Sequence, residues 1–128
     1  MFKFFTTLSE NEARNISPVT LAFVGDAVYT LYVRERLVVE RDLSTGALQK
    51  LSSSEVSAHG QNILLEKIIP LLSEEEIAVF KRGRNAKKPS KSKSATVFEY
   101  NNSTGFESLL GYLYLVGRYE RIEQLLDN

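Results

Sequence analysis

Two long apolar stretches, each interrupted by a single acidic residue, constrain this chain more than any other feature of its sequence. Asp26 is the only charged residue in residues 18–33, and Glu107 is the only one in residues 100–117. An ionised carboxylate is costly to bury unless it is paired or bound to a cation, and neither stretch contains a lysine or an arginine. We therefore expect each acid to find its partner elsewhere in the fold.

The first stretch has the pattern of a helix that is apolar on nearly all sides. Ser17 and Pro18 provide a capping serine and a proline at the first helical position, and we expect the helix to run to about Val39. A helix of this kind is buried or lies in an interface, and Phe23 is expected to pack as well. The apolar residues at helical spacing are Leu21, Val24, Val28 and Leu31.

Helical periodicity and capping patterns recur along the rest of the chain, whereas β-hairpin signals are absent. The predicted helices cover residues 18–39, 48–68 with a break near Gly60, 73–82, 96–116 and 118–126. The fold class is therefore all-α, with five to seven helices. A length of 128 residues suits one domain, which we expect to span residues 1–128.

The composition excludes several classes of site and of location. No cysteine is present, which rules out disulfide scaffolds, thiolate zinc sites and cysteine nucleophiles. His59 is the only histidine, so a multi-histidine metal site is impossible, and we expect His59 at the surface or at a helix end. No uncharged apolar run reaches the roughly 18–20 residues of a membrane span, and the amino terminus lacks a signal-peptide pattern. We therefore expect a cytoplasmic protein with no membrane partner.

One basic segment stands out against an otherwise acidic chain. The net charge is zero, from 16 basic and 16 acidic residues, but residues 81–93 carry seven of the positive charges and no acid. The remainder has nine basic against sixteen acidic residues. Residues 83–95 are rich in Lys, Ser, Asn and Pro and are predicted to form a flexible basic loop.

Glycines near both acids favour a close approach of the two acidic helices. Gly25 precedes Asp26, and Gly105 and Gly111 flank Glu107. A glycine inside a helix costs roughly 0.5–1 kcal/mol relative to alanine, so three of them indicate tight packing. A divalent cation shared by both carboxylates would satisfy them together, and Mg²⁺ suits such oxygen ligands. From spacing alone, arginine partners elsewhere or exposure at a helix edge remain open alternatives.

The residues around the two acids resemble the ribonuclease III family. Residues 21–28, Leu-Ala-Phe-Val-Gly-Asp-Ala-Val, resemble its signature helix, and residues 104–115, Thr-Gly-Phe-Glu-Ser-Leu-Leu-Gly-Tyr-Leu-Tyr-Leu, resemble its second acidic helix. Residues 82–87, Arg-Gly-Arg-Asn-Ala-Lys, are similar to a segment typical of the Mini-III branch. The resemblance covers nearly the whole chain and implies an all-helical, ribonuclease III-like endonuclease domain that acts as a homodimer.

The resemblance also implies a chemistry and the residues that perform it. The family hydrolyses phosphodiester bonds of double-stranded RNA with Mg²⁺ and leaves 5′-phosphate products. Asp26 and Glu107 match two of its four acids, as catalytic residues and magnesium ligands. The other two are missing, because Ala22 stands where a Glu is usual and Thr104 where an Asp is usual. The Mini-III branch resembles this sequence in that reduction. The implied substrate is a ribosomal RNA precursor (23S), and a ribosomal protein is a further suggested partner.

The basic segment is the expected RNA-binding element. No double-stranded RNA-binding domain follows within these 128 residues, so we expect the nuclease domain to bind the RNA backbone by itself. The residues expected to contact RNA are Arg82, Arg84, Lys87, Lys88, Lys91 and Lys93. A solvated connector is the alternative for this segment. For the whole chain, two alternatives stay open: a catalytically inactive ribonuclease III-like dimeric RNA-binding module, and a helical protein-interaction domain.

Overall fold

The computed structural model describes residues 4–88 and 95–127. The helices are α1 Glu10–Arg14, α2 Pro18–Glu40, α3 Thr45–Val56, α4 Ala58–Ile68, a short 3₁₀ turn Ile69–Leu71, α5 Glu74–Asn85, α6 Val97–Leu115 and α7 Tyr119–Leu126. The described residues contain no β-strand, which confirms the all-α prediction. No helix among them is long and apolar enough to cross a membrane.

Most helices begin where the sequence provides a capping side chain. The Ser17 hydroxyl accepts a hydrogen bond from the Thr20 amide at the start of α2. Ser73 and Thr96 open α5 and α6 with reciprocal capping boxes, so the predicted starts of these helices are confirmed. A capping box at Ser9 also begins α1, which the sequence pattern did not predict because five residues are too few to show a helical period.

α6 is the central helix and packs against α2, α5, α4, α7 and α1. The face of α2 that turns inward consists of Leu21, Ala22, Gly25, Tyr29, Val33 and Leu37. Phe23 and Leu31 do not pack within this chain, where they are 81% and 63% exposed, so burial in the core is excluded for them and packing in an interface stays a prediction. Because α2 is apolar on nearly all sides, its hydrophobic pattern does not select a face. The glycine face lies inward because it allows the closest approach of α6.

The structure corrects the predicted start of the basic loop. α5 continues through Asn85, three residues beyond its predicted end, and Gly83 is buried within it. The helix continues there because Gly83 packs on α6: a Cβ at this position would lie 2.7 Å from the Ser108 Cβ and 2.9 Å from the Gly105 Cα. Gly105 therefore serves the contact with α5. Residues 89–94, the middle of the predicted flexible loop, lie outside the described residues.

Candidate active site

Gly25 and Gly111 bring the backbones of α2 and α6 into direct contact beside the two acids. A Cβ on Gly25 would overlap the Glu107 carbonyl oxygen and lie 2.6 Å from its carbonyl carbon. A Cβ on Gly111 would overlap the Leu21 carbonyl oxygen. These two glycines have the packing role that their positions predict. Since Asp26 follows Gly25 directly, the backbone contact brings the residues that carry the two acidic side chains close together.

The two carboxylates meet at this contact. Burial raises the pKa of Glu107 to about 8; a hydrogen bond from Gln61 opposes the rise, and the neighbouring Asp26 carboxylate adds to it. Residues 81 positions apart in the sequence are therefore close in space. In the part of the chain that the structure describes, neither acid forms an ion pair with a lysine or an arginine. The arginine partners that spacing left open are thus not found there.

The two acids differ in their exposure, and the alternative of a position at an exposed helix edge applies to one of them. Asp26 is exposed, whereas Glu107 is half-buried. Asp26 lies one helical position beyond Gly25, which turns its side chain away from the buried face of α2. The cost of burying a charge therefore falls on Glu107, and Asp26 forms the side of the site that faces solvent.

Gln61 belongs to the site although the motifs in the sequence do not include it. It is 2% exposed, and its Nε2 donates hydrogen bonds to Glu107 Oε2 at 3.1 Å and to the Val56 carbonyl oxygen at 3.0 Å. A signal does exist in the sequence. Gln61 shares the buried face of α4 with Leu65 and Ile68, so a polar residue occupies a core position of the helical pattern.

Ala22 and Thr104 occupy the two positions where the family resemblance leads us to expect further acids, and neither provides a carboxylate. Ala22 is buried and apolar, and the buried Thr104 donates its hydroxyl to the Tyr100 carbonyl oxygen within α6 at 3.1 Å. Residues 4–88 and 95–127 contain no cluster of three or more Asp, Glu, His or Cys side chains suited to a metal. The available donors are two carboxylates, and they fit Mg²⁺, which typically binds one or two carboxylates together with waters and a substrate phosphate.

The start of α4 is joined to the start of α6 by a polar junction. His59 is exposed, as predicted, and its Nδ1 lies 2.6 Å from Glu99 Oε2. Asn62 donates to the Glu99 carbonyl oxygen at 3.0 Å, and Asn102 donates to Asn62 Oδ1 at 3.1 Å. The junction holds the first turns of α4 against the start of α6.

The lysines expected to contact RNA lie in different settings. Lys87 is exposed. Lys88 is half-buried and donates its ammonium group to two carbonyl oxygens in the last turn of α5, at 2.7 and 2.9 Å. Burial lowers the pKa of Lys88. Lys91 and Lys93 lie outside the described residues. The charge of Lys88 is thus already engaged by the carboxyl end of a helix.

The two arginines lie on α5 itself. Arg82 is exposed, and its Nη1 donates to the Arg14 carbonyl oxygen at 3.3 Å. The Arg84 guanidinium lies 5.7 Å from the centre of the Phe80 ring and donates to Asn85 Oδ1 at 3.1 Å. These contacts fix the direction of both side chains, so a helix presents them rather than a loop.

Comparisons with known proteins identify the family. A sequence model of the Ribonuclease III domain matches residues 19–118. The chain is 42% identical over 120 residues to Mini-ribonuclease 3 of Thermoanaerobacter sp. (strain X514), and the match covers 94% of this chain and 84% of that protein. This chain belongs to the ribonuclease III family, in its Mini-III branch. The resemblance drawn from the acidic motifs is thereby confirmed.

Further members of the family agree in sequence and in fold. Mini-ribonuclease 3 of Brevibacillus brevis is 44% identical over 111 residues, or 87% of this chain and 83% of that protein. The crystal structure of protein FN1578 from Fusobacterium nucleatum has a TM-score of 0.82 at 32% identity, and the match covers 89% of this chain and 93% of that one. The catalytic roles of Asp26 and Glu107 within the family fold stay predictions.

Proposed function

We propose that this chain is a magnesium-dependent endoribonuclease that hydrolyses phosphodiester bonds of double-stranded RNA, with Asp26 and Glu107 as the carboxylates that hold the ion. Membership of the ribonuclease III family supports the coarser statement, an endoribonuclease of the ribonuclease III type. The observation that carries the finer statement is the meeting of these two carboxylates where the backbones of α2 and α6 touch.

The electrostatics of the pair favour a bound cation. Burial and the charge of Asp26 both disfavour the ionised form of Glu107, and in the described residues no lysine or arginine offsets them by an ion pair. A cation between the carboxylates would reverse this effect, because a nearby positive charge stabilises both ionised acids. The pair therefore has the character of a cation site rather than of a structural ion pair.

Asp26 and Glu107 have different roles in the proposed site. Glu107 is half-buried, accepts a hydrogen bond from Gln61 and forms the inner side of the site. Asp26 is exposed and forms the side from which an RNA phosphate would approach. A bound Mg²⁺ supplies the polarisation of the phosphate and the activation of the attacking water. We propose that the products carry 5′-phosphate ends, as the family resemblance implies.

We assign RNA binding to the cations of the basic segment, of which Arg82 and Lys87 are exposed and Arg84 is half-buried. Arg82, Arg84 and Lys87 project from the end of α5 and from the residues after it, and Lys91 and Lys93 continue the segment in the sequence. Contacts with phosphates give an affinity that depends on salt and not on sequence, which suits recognition of duplex RNA by its backbone. We expect Lys88 to contribute less because its ammonium group is engaged by α5.

A homodimer is part of the proposal, and the outer face of α2 is its expected interface. Phe23, Leu31 and Val38 lie on one side of this helix and are 81%, 63% and 64% exposed. Several large exposed apolar side chains on one side of a helix mark a candidate interaction surface. The family resemblance alone further implies that the substrate is a 23S ribosomal RNA precursor and that a ribosomal protein is a partner. Both are part of the proposed function.

Cleavage assays with conservative variants test the proposed site. Asp26→Asn and Glu107→Gln should each lower the rate of Mg²⁺-dependent cleavage of an RNA duplex by about a hundredfold or more, because several kcal/mol of ion-mediated stabilisation is lost. Circular dichroism spectra and RNA affinity should be retained. Cleavage by either variant at nearly the wild-type rate would remove that residue from the site.

One observation favours a second candidate, an inactive RNA-binding module. Ala22 and Thr104 provide no carboxylate, so the site has fewer acids than is usual in the family. The two candidates differ in a simple outcome. The second requires that the wild-type chain binds duplex RNA and leaves it intact at every Mg²⁺ and Mn²⁺ concentration tested.

A further inference from the structure

We propose that Gln61 is the positioning residue of this site and that its carboxamide fixes the orientation in which Glu107 meets the metal ion. This inference rests on the proposed function, since it assigns Glu107 to the ion. Gln61 lies outside the acidic motifs, on α4 rather than on α2 or α6. The support for this role comes from the contacts of Gln61.

The two hydrogens of the Gln61 amide are both used, and they point to different elements. One is donated to the Val56 carbonyl oxygen at 3.0 Å, and the other to Glu107 Oε2 at 3.1 Å. An amide nitrogen has two hydrogens held in one plane. The bond to the backbone of α3 therefore fixes the rotation of the amide, and the second hydrogen is directed at the carboxylate of α6.

The backbone places Gln61 and Val56 side by side. A Cβ on Gly60 would overlap the Ser54 carbonyl oxygen and lie 2.6 Å from the Glu55 carbonyl oxygen, so the first turn of α4 is packed directly on the last turn of α3. Gln61 itself is 2% exposed. Its amide is held in place before any ligand arrives, which is the requirement for a residue that orients another.

The stability that Gln61 gives to the fold is partly offset by one unsatisfied atom. Its Oε1 is the one buried side-chain nitrogen or oxygen in residues 4–88 and 95–127 that has no hydrogen-bond partner. A buried, unsatisfied polar atom costs about 1–3 kcal/mol, which is of the same order as the gain from the two hydrogen bonds that the amide donates. A residue that gives the fold little net stability and contacts a proposed metal ligand points to a role in the site.

The neighbouring carboxamide of Asn62 provides the contrast. Its Nδ2 donates to the Ala58 and Glu99 carbonyl oxygens at 2.8 and 3.0 Å, and its Oδ1 accepts a hydrogen bond from Asn102 at 3.1 Å. Both ends of this amide are satisfied within the fold. Asn62 is therefore a structural amide on the same helix, one position from Gln61, and it serves as a matched control.

The experiment compares Gln61→Met with Asn62→Ala. Binding of Mn²⁺ to the RNA-free protein is measured by isothermal titration calorimetry, together with kcat and KM on an RNA duplex and the melting temperature. For Gln61→Met we expect Mn²⁺ affinity and kcat to fall by about 10- to 100-fold, with KM unchanged and a melting temperature close to that of the wild type, because two hydrogen bonds and one unsatisfied buried atom are lost together. For Asn62→Ala we expect a lower melting temperature, with Mn²⁺ affinity and kcat close to wild-type values.

The possible outcomes separate this inference from the proposed function. Wild-type Mn²⁺ affinity and kcat in Gln61→Met overturn it. Equal losses in both variants, in step with the melting temperature, also overturn it, because Gln61 would then be merely structural. If Glu107→Gln loses Mn²⁺ binding and cleavage while Gln61→Met keeps both, only the positioning role is refuted. If Glu107→Gln keeps both, the proposed function is refuted and the positioning role with it.

Discussion

At the scale of single residues, Glu107 occupies an environment that favours its neutral form. Its pKa rises from the ordinary 4.5 to about 8 in the folded protein, chiefly through burial. Between these two values the folded state holds a proton that the unfolded chain releases. In the absence of metal, the contribution of Glu107 to the free energy of unfolding therefore decreases as the pH rises through this window.

Replacing Glu107 with glutamine tests this effect. In EDTA at pH 8.5, Glu107→Gln should be more stable than the wild type by on the order of a few kcal/mol, and the difference should vanish near pH 4. Urea denaturation at both pH values measures it. Added Mg²⁺ should stabilise the wild type and not the variant. Parallel pH profiles for the two proteins would contradict the burial of this carboxyl.

The adjacent residues Lys87 and Lys88 are expected to differ in their effects on stability and on RNA binding. Lys88→Ala should lower the free energy of unfolding by about 0.3–1 kcal/mol, because it removes a cation from the carboxyl end of α5, whereas Lys87→Ala should leave stability unchanged. Lys87→Ala should weaken binding to duplex RNA and reduce its salt slope by about one. Thermal melts and binding titrations over a range of salt concentrations decide between the two roles, and the reverse order of effects would contradict the assignment.

At the scale of elements, the contact between α2 and α6 tolerates no side chain. Gly25→Ala should destabilise the protein by about 3 kcal/mol or more, because the new Cβ would overlap the backbone of Glu107. Any molecules that still fold should have lost cleavage, since the helices must separate. Gly46→Ala is the control: nothing lies within 4 Å of a Cβ there, and we expect equal stability or a gain of up to about 1 kcal/mol. Urea denaturation of both variants measures the difference.

Helix starts were predictable from the sequence because their signals are local. Ser17, Ser73 and Thr96 each cap the helix that they were predicted to open. The end of α5 was not, because Gly83 remains helical through its contact with α6. The inward face of α2 was also not predictable, since Phe23 is as apolar as the residues that are buried.

The two acids of the candidate site were predictable because their signals are also local in the sequence. Asp26 and Glu107 stand out because each is alone in an apolar stretch, and the adjacent glycines indicate that the helices touch. Gln61 gives only a weak signal, its place among the apolar positions of α4, because glutamine is common on helix surfaces and its burial depends on how α3, α4 and α6 pack together. The exposure of Asp26 likewise depends on the face that α2 turns toward α6.

At the scale of the whole molecule, the outer face of α2 is expected to join two copies of the chain. Wild-type protein should have a mass in light scattering of about twice the 14.5 kDa of one chain. Leu31→Glu should halve it, because a charge in the centre of an apolar interface is costly. Val97→Glu, a substitution at a 56% exposed apolar position on α6, should leave the mass unchanged. A monomeric wild type would refute the dimer.

The contact between Gly25 and Gly111 limits how this protein could be altered by evolution or by design. Because main-chain atoms of α2 and α6 already touch beside the acids, repacking the hydrophobic interior cannot bring the two helices closer together. A shift in ion preference, from magnesium to a larger cation such as calcium, would have to come from the lengths of the acidic side chains themselves or from the amide that steadies one of them.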